Sequence, residues 1–120
     1  MTATPMNQML GPRGYGATQR VRTLREQEAD VFRRVNYGLK AALNGDAIDR
    51  ARAVSDNRRL WFAIEAALVN PENQLPEATR VGILRLGRGV QREMENQEPD
   101  INFLIDINEQ MIAGLSGEPG

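Results

Sequence analysis

Four stretches of the chain carry apolar residues at helical spacing, separated by turn-forming residues. The first is predicted to start near Thr23. Thr23-Leu24-Arg25-Glu26 matches a capping box, in which the Thr hydroxyl and the Glu carboxylate each take up a free backbone N–H. Leu24, Val31, Phe32, Val35, Leu39, Ala42 and Leu43 then share one face. Asn44-Gly45 is read as the stop, since both residues tolerate a left-handed cap. Asp46 can cap the second helix, with Asp49 favourably placed in its first turn. From Leu60 to Val69 this helix is apolar almost all round, which predicts a central element with neighbours on several sides. Asn70-Pro71 ends it, because the residue before proline is pushed out of the helical region.

Pro76 suits the start of a third helix. Val81, Ile83, Leu84, Leu86, Val90 and Met94 form its apolar face, interrupted by Gly82, Gly87 and Gly89. Each glycine costs about 1 kcal/mol relative to alanine in a helix interior. Close packing against a bulky neighbour such as Trp61 explains such glycines; a kink, or a helix left pliable until a partner binds, are the alternatives. After Glu95 to Pro99, Asp100 can cap a fourth helix, and Ile101, Leu104, Ile105, Asn108, Met111, Ile112 and Leu115 form its stripe. The fold class expected is all-α, a small four-helix bundle. Residues 1–19 have no periodicity and are rich in glycine and proline, so they read as a mobile arm with Tyr15 as its one large anchor. Residues 20–115 read as the helical domain and 116–120 as a disordered tail.

Charge adds an asymmetry to this picture. Residues 1–60 carry 11 basic and 6 acidic side chains; residues 61–120 carry 4 and 10. Two halves that pack together and pair at their edges account for this. A basic face for nucleic acid is the sharper alternative, but the total charge of -1 and the lack of an aromatic-basic stripe argue against it. No direct nucleic-acid binding is expected.

Composition narrows the chemistry. Neither His nor Cys occurs in the 120 residues, which removes imidazole bases, thiol nucleophiles and Cys/His metal sites. Ser55 and Ser116 have no base to activate them, and the carboxylates Asp100 and Asp106 stand beside no metal-binding motif. Gly14-Tyr15-Gly16 and Gly87-Arg88-Gly89 follow no strand and lack the Lys-Ser/Thr of a phosphate loop. An enzyme is not expected, and no cofactor or metal is called for. The start of the chain shows no signal peptide, and no stretch reaches the roughly 20 apolar residues of a membrane span. The cytoplasm is the expected compartment.

Specific motifs run through the middle and end of the chain. Asn57-Arg58-Arg59-Leu60-Trp61 is followed by Asn73-Gln74-Leu75-Pro76 and Arg80, then by Ile83, Leu86-Gly87 and Val90-Gln91-Arg92. The last helix reads Leu104-Ile105-Asp106-Ile107-Asn108, then Met111-Ile112-Ala113-Gly114-Leu115. In order and spacing these resemble the FlaF family of bacterial flagellar biosynthesis regulators, over roughly residues 20–115, with Tyr15 in the place of the family's early Tyr. The chain departs from that pattern at Gly89, where the family commonly has an aromatic residue, at Arg85 and Arg88, which replace smaller or apolar residues, and at Glu72, where Gly is usual.

The resemblance implies a cytoplasmic protein that binds flagellin and promotes its synthesis and export as a secretion chaperone. It also implies work beside FlbT, a regulator of flagellin mRNA translation, so a post-transcriptional role, direct or through FlbT, is the alternative. The partner-binding candidates it supplies are Tyr15, Asn57, Arg58, Trp61, Asn73, Leu75, Pro76, Arg80, Ile105, Asp106, Asn108 and Ile112. Several of these also have a structural reading. Trp61 suits a core. Asn57 and Arg58 are read as bonding the loop backbone around Asn73 to Pro76. Leu75 and Pro76 set the start of helix three, and Arg80 and Arg92 form surface ion pairs. Asn108 either fixes helix register or faces a partner, because a polar residue in an apolar stripe is costly unless paired.

Overall fold

The computed structural model describes residues 13–116, with side chains from Glu26 onward. Four helices follow in chain order: α1 (Arg13–Ala42), α2 (Ala47–Val69), α3 (Glu77–Met94) and α4 (Ile101–Leu115). The described residues contain no strand. The expected all-α four-helix architecture is what the chain adopts.

Helix α1 is the spine. It packs most extensively on α4 and next on α2, while α2 also packs on α3 and α3 more lightly on α4. At 30 residues it spans about 45 Å, the main part of the molecule's 54 Å long axis. It also begins ten positions before Thr23, so Thr23 to Glu26 lie inside the helix and do not form its N-terminus. Glycines at 14 and 16 do not stop propagation when Ala-, Gln- and Arg-rich sequence follows. The Tyr15 side chain, and the arm and tail expectations over 1–12 and 117–120, lie outside the described residues.

The core is a single cluster drawn from all four helices. Phe32 and Leu39 of α1, Val54 and Trp61 of α2, Val90 and Met94 of α3, and Leu104 and Ile105 of α4 are among its buried members. The Phe32 and Trp61 rings meet edge to face at 6.0 Å, an arrangement favoured by the aromatic quadrupole. All seven residues expected on the α4 stripe are buried or half-buried. On α1 the buried face is rotated from the expected one. Ala29, Phe32, Asn36, Leu39 and Ala42 point inward, while Val31 and Leu43 are exposed.

Helix α2 differs most from expectation. It buries one face only, through Ala53, Val54, Asn57, Trp61 and Leu68, and leaves Phe62 at 69% and Val69 at 63% exposure. An apolar circumference is compatible with a central helix or with one whose outer face is unpaired, and among the described residues α2 is the second kind.

The α1–α2 turn is built on Asp46 and Asp49. The Asp46 carboxylate accepts from the Asp49 N–H at 2.8 Å, and Asp49 Oδ2 accepts from the Asp46 N–H at 3.2 Å. This reciprocal capping box satisfies two free donors of α2. The Asp49 N–H is the main cause of an Asp46 pKa below the ordinary 3.8. Gly45 is not in the left-handed region; its role is space. A Cβ there would stand 2.5 Å from Asp49 Oδ2 and 2.8 Å from Asp49 Cβ, so glycine lets the cap close.

Candidate functional site

A row of buried amides crosses the bundle. Asn57 and Asn108 are fully buried and Asn36 is 2% exposed. Asn108 Nδ2 donates to Asn57 Oδ1 at 2.8 Å and to Asn36 Oδ1 at 3.3 Å. Its Oδ1 accepts from the Trp61 indole N–H at 3.0 Å. Asn57 Nδ2 donates to Met94 Sδ at 3.4 Å, and Asn36 Nδ2 donates to the Ile105 carbonyl at 3.3 Å and to Glu109 at 3.2 Å. Arg58 completes the row from outside, donating to the Met94 carbonyl at 3.2 Å. All four helices are therefore joined through polar groups whose hydrogen bonds are made inside the protein. Such a network is costly if half-satisfied and fixes a unique register when complete.

This placement corrects one expectation. Asn57 and Arg58 reach helices α3 and α4, not the loop between α2 and α3. That loop organises itself. Asn70 Oδ1 accepts from the Glu72 N–H at 2.8 Å. Asn73 donates to the Ala67 carbonyl at 2.9 Å and accepts from the Leu75 N–H at 3.0 Å. Asn73 thus closes the end of α2 and turns the chain toward Pro76. Arg80 donates to the Leu75 carbonyl at 3.3 Å. Among the described residues neither Arg80 nor Arg92 forms an ion pair, contrary to the surface-pair expectation.

The sequence-derived candidates therefore divide. Asn57, Trp61, Ile105 and Asn108 are buried. Ile112, Asn73, Leu75 and Arg80 are half-buried, and Arg58, Pro76 and Asp106 are exposed. The structure does not gather them into one patch. Sequence reasoning missed Asn36, although its position between Phe32 and Leu39, at spacings of four and three, carried the signal. It also missed Phe62 and Val69 as surface residues.

Two open features lie on α2. Near its start, a groove of about 710 Å³ runs between α2 and the α3–α4 connection. Leu43, Val54, Met94 and Ile101 contribute its apolar lining, with Arg50 and Arg58 on the α2 side and Glu98 and Asp100 on the side of the α3–α4 connection. Further along are the exposed Phe62 and Val69, with the small exposed residues Ala63 and Ala66 between them. No helix of the described residues is long and apolar enough to cross a membrane.

The sequence matches the family model for the flagellar protein FlaF over residues 13–115. The chain belongs to the FlaF family. No match was found among curated proteins or among solved structures. The match begins where α1 begins and ends where α4 ends, so the four-helix unit is the FlaF unit. Of the positions expected from the sequence to depart from the family pattern, Gly89 has nothing within 4 Å of where a Cβ would stand, and Glu72, Arg85 and Arg88 are exposed. None of the four belongs to the amide row. Gly87 is the opposite case, since a Cβ there would meet the Trp61 ring at 3.3 Å. The expected close packing on Trp61 therefore holds for Gly87 and not for Gly82 or Gly89.

Proposed function

We propose that this FlaF-family chain serves flagellum biogenesis as a cytoplasmic chaperone. On this reading it binds flagellin before export and promotes flagellin synthesis and secretion. Membership in a flagellar family supplies the process. The observation that carries the finer reading is the apolar face of α2 that none of the described residues covers, where Phe62 and Val69 are exposed although the four helices already share a core. Exposed apolar surface rimmed by polar residues marks interaction sites. An amphipathic segment of a client, laid along such a helix, would be shielded from aggregation. That task needs no catalytic group.

The test is direct. Purified protein and flagellin are mixed at micromolar concentration and separated by size. The reading expects a one-to-one complex that survives nuclease and high salt. Association that collapses with rising salt and retains flagellin mRNA or requires FlbT would instead support post-transcriptional action, because phosphate contacts release counterions. Absence of any flagellin complex would end the chaperone reading.

A further inference from the structure

The acidic half of the chain gathers its positive charge on one helix. Residues 61–120 carry 10 acidic and 4 basic side chains, and the basic ones, Arg80, Arg85, Arg88 and Arg92, all lie on α3. Arg80 donates to the Leu75 carbonyl. The other three follow at spacings of three and four, so they share one side of the helix over about 10 Å. All three are exposed, and none forms an ion pair among the described residues. Like charges stacked in this way repel one another, so the stripe weakens the free helix and gains from carboxylates brought from outside.

The carboxylates near it are too few to neutralise it. Glu95, one turn beyond Arg92, is the only acidic residue three or four positions from any of the three. Glu65 of α2 lines the α2–α3 seam together with Arg88, but it is half-buried and its Oε1 accepts from Gln91 at 3.3 Å. Glu77 lies eight residues before Arg85, about 12 Å along the axis, farther than the roughly 8 Å screening length of physiological salt. The groove at the start of α2 has no such surplus, since Glu98 and Asp100 stand in it with Arg50 and Arg58.

Apolar surface runs beside the stripe. Trp61 packs on Gly87 and Arg58 reaches Met94, so α2 and α3 are antiparallel. In that register Phe62 stands level with the turn from Arg88 to Arg92, and Val69 with the turn from Val81 to Arg85. Phe62, Glu65 and Val69 share one side of α2 at spacings of three and four, and Glu65 reaches Gln91, so this side borders α3. Phe62, Ala66, Val69 and Val81 are exposed. Two tracks of equal length thus lie side by side, apolar on α2 and basic on α3. A helix with an apolar stripe and carboxylates along one flank matches both tracks at once. A phosphate backbone would meet the arginines but leave the aliphatic track uncovered, and a single phenylalanine offers little for bases to stack on.

We propose that the α2–α3 edge docks an amphipathic helix of the flagellar client, its apolar stripe on Phe62, Ala66 and Val69 and its acidic flank on Arg85, Arg88 and Arg92. Calling the client flagellin rests on the function proposed above; the acidic flank rests on α3 alone.

The test uses the isotope-labelled full chain and synthetic helices of about 14 residues, four turns, with leucines at i, i+3, i+4 and i+7. One peptide carries glutamates along one flank of the leucine stripe, the other lysines in their place. Flagellin and a short oligouridine are titrated in parallel. The glutamate peptide should shift the amide resonances of Phe62, Ala66, Arg85 and Arg88. It should bind at least about fivefold more tightly than the lysine peptide in low salt, with the gap narrowing as salt rises. Arg85→Glu combined with Arg92→Glu, both at exposed positions, should weaken the glutamate peptide and flagellin and give the lysine peptide the advantage, a reversal that misfolding cannot produce. Flagellin bound equally by the parent and the double variant overturns the acidic-flank assignment and leaves the chaperone reading intact. A glutamate peptide seated on the α2–α3 edge with no flagellin binding leaves the docking site standing and ends the flagellin reading. Equal affinity for the two peptides, or binding of neither, overturns the proposal. So does oligouridine that competes the glutamate peptide off the arginines, or self-association of the free chain that the double variant abolishes.

Discussion

The Trp61 indole N–H donates to the Asn108 side-chain carbonyl at 3.0 Å, joining α2 to α4 at a point where both residues are buried. Asn108 turns the same amide's N–H groups to Asn36 and Asn57. One side chain therefore serves three others, and its removal leaves the Trp61 N–H and the Asn36 and Asn57 side-chain oxygens without that partner. Asn108→Ala is expected to lower stability by about 2–4 kcal/mol, from a cavity plus unpaired buried polar groups. Chemical denaturation measures this. Replacing Asn36, Asn57 and Asn108 together by leucine should cost less than the sum of the single changes, because the amides then no longer strand one another and only the Trp61 N–H loses its partner. Additive losses would mean that the three amides act independently.

The three glycines of α3 should separate in a thermal melt. Gly82 and Gly89 have open space where a Cβ would go, so Gly82→Ala and Gly89→Ala should each stabilise by about 0.5–1 kcal/mol. Gly87→Ala gains the same helix propensity but crowds the Trp61 ring at 3.3 Å. Its melting temperature should fall below those of the other two variants. A larger substitution, Gly87→Leu, should destabilise clearly by displacing the indole.

The α1–α2 cap predicts a pH dependence. Asp46 has a folded pKa below its ordinary 3.8 because it accepts the Asp49 N–H. A depressed carboxylate contributes stability above the unfolded value and loses it as pH falls through the folded value. Asp46→Ala should therefore be less stable than the parent at neutral pH, with the gap closing below about pH 4. Gly45→Ala should mimic part of this loss at neutral pH, since the new methyl displaces Asp49 from the box.

Phe62 is a surface residue by exposure, and removing it should leave the fold intact. Phe62→Ser is expected to change stability by no more than about 0.5 kcal/mol, yet to weaken flagellin binding measured by calorimetry. A large drop in melting temperature would place Phe62 in the core's support and weaken the proposed function.

The elements themselves were largely legible in the sequence. The α4 stripe, the Asp46 and Asp100 caps, and the break at Asn70-Pro71 follow from local chemistry that acts within a few residues. The start of α1 was not legible, because glycines at 14 and 16 look like breakers unless the helix that runs through them is known. Which side of α2 meets solvent was also hidden. Its second half is apolar on nearly every side, and burial there depends on where α1 and α3 lie, which periodicity within α2 cannot report. Asn108 stood out as the polar member of an apolar stripe, but its partners were invisible. Asn36, Asn57 and Asn108 lie on three different helices, and only tertiary packing brings them together.

Trp61 is the one tryptophan in the chain, and it sits where four helices converge, braced by Phe32 and by a hydrogen bond to Asn108. Its fluorescence is thus an intrinsic gauge of the assembled interior. Loosening of any helix would wet the indole and move its emission to longer wavelength. A ligand resting on the outer side of α2 would leave that colour nearly untouched, so one optical signal can tell loss of the fold from occupation of its surface.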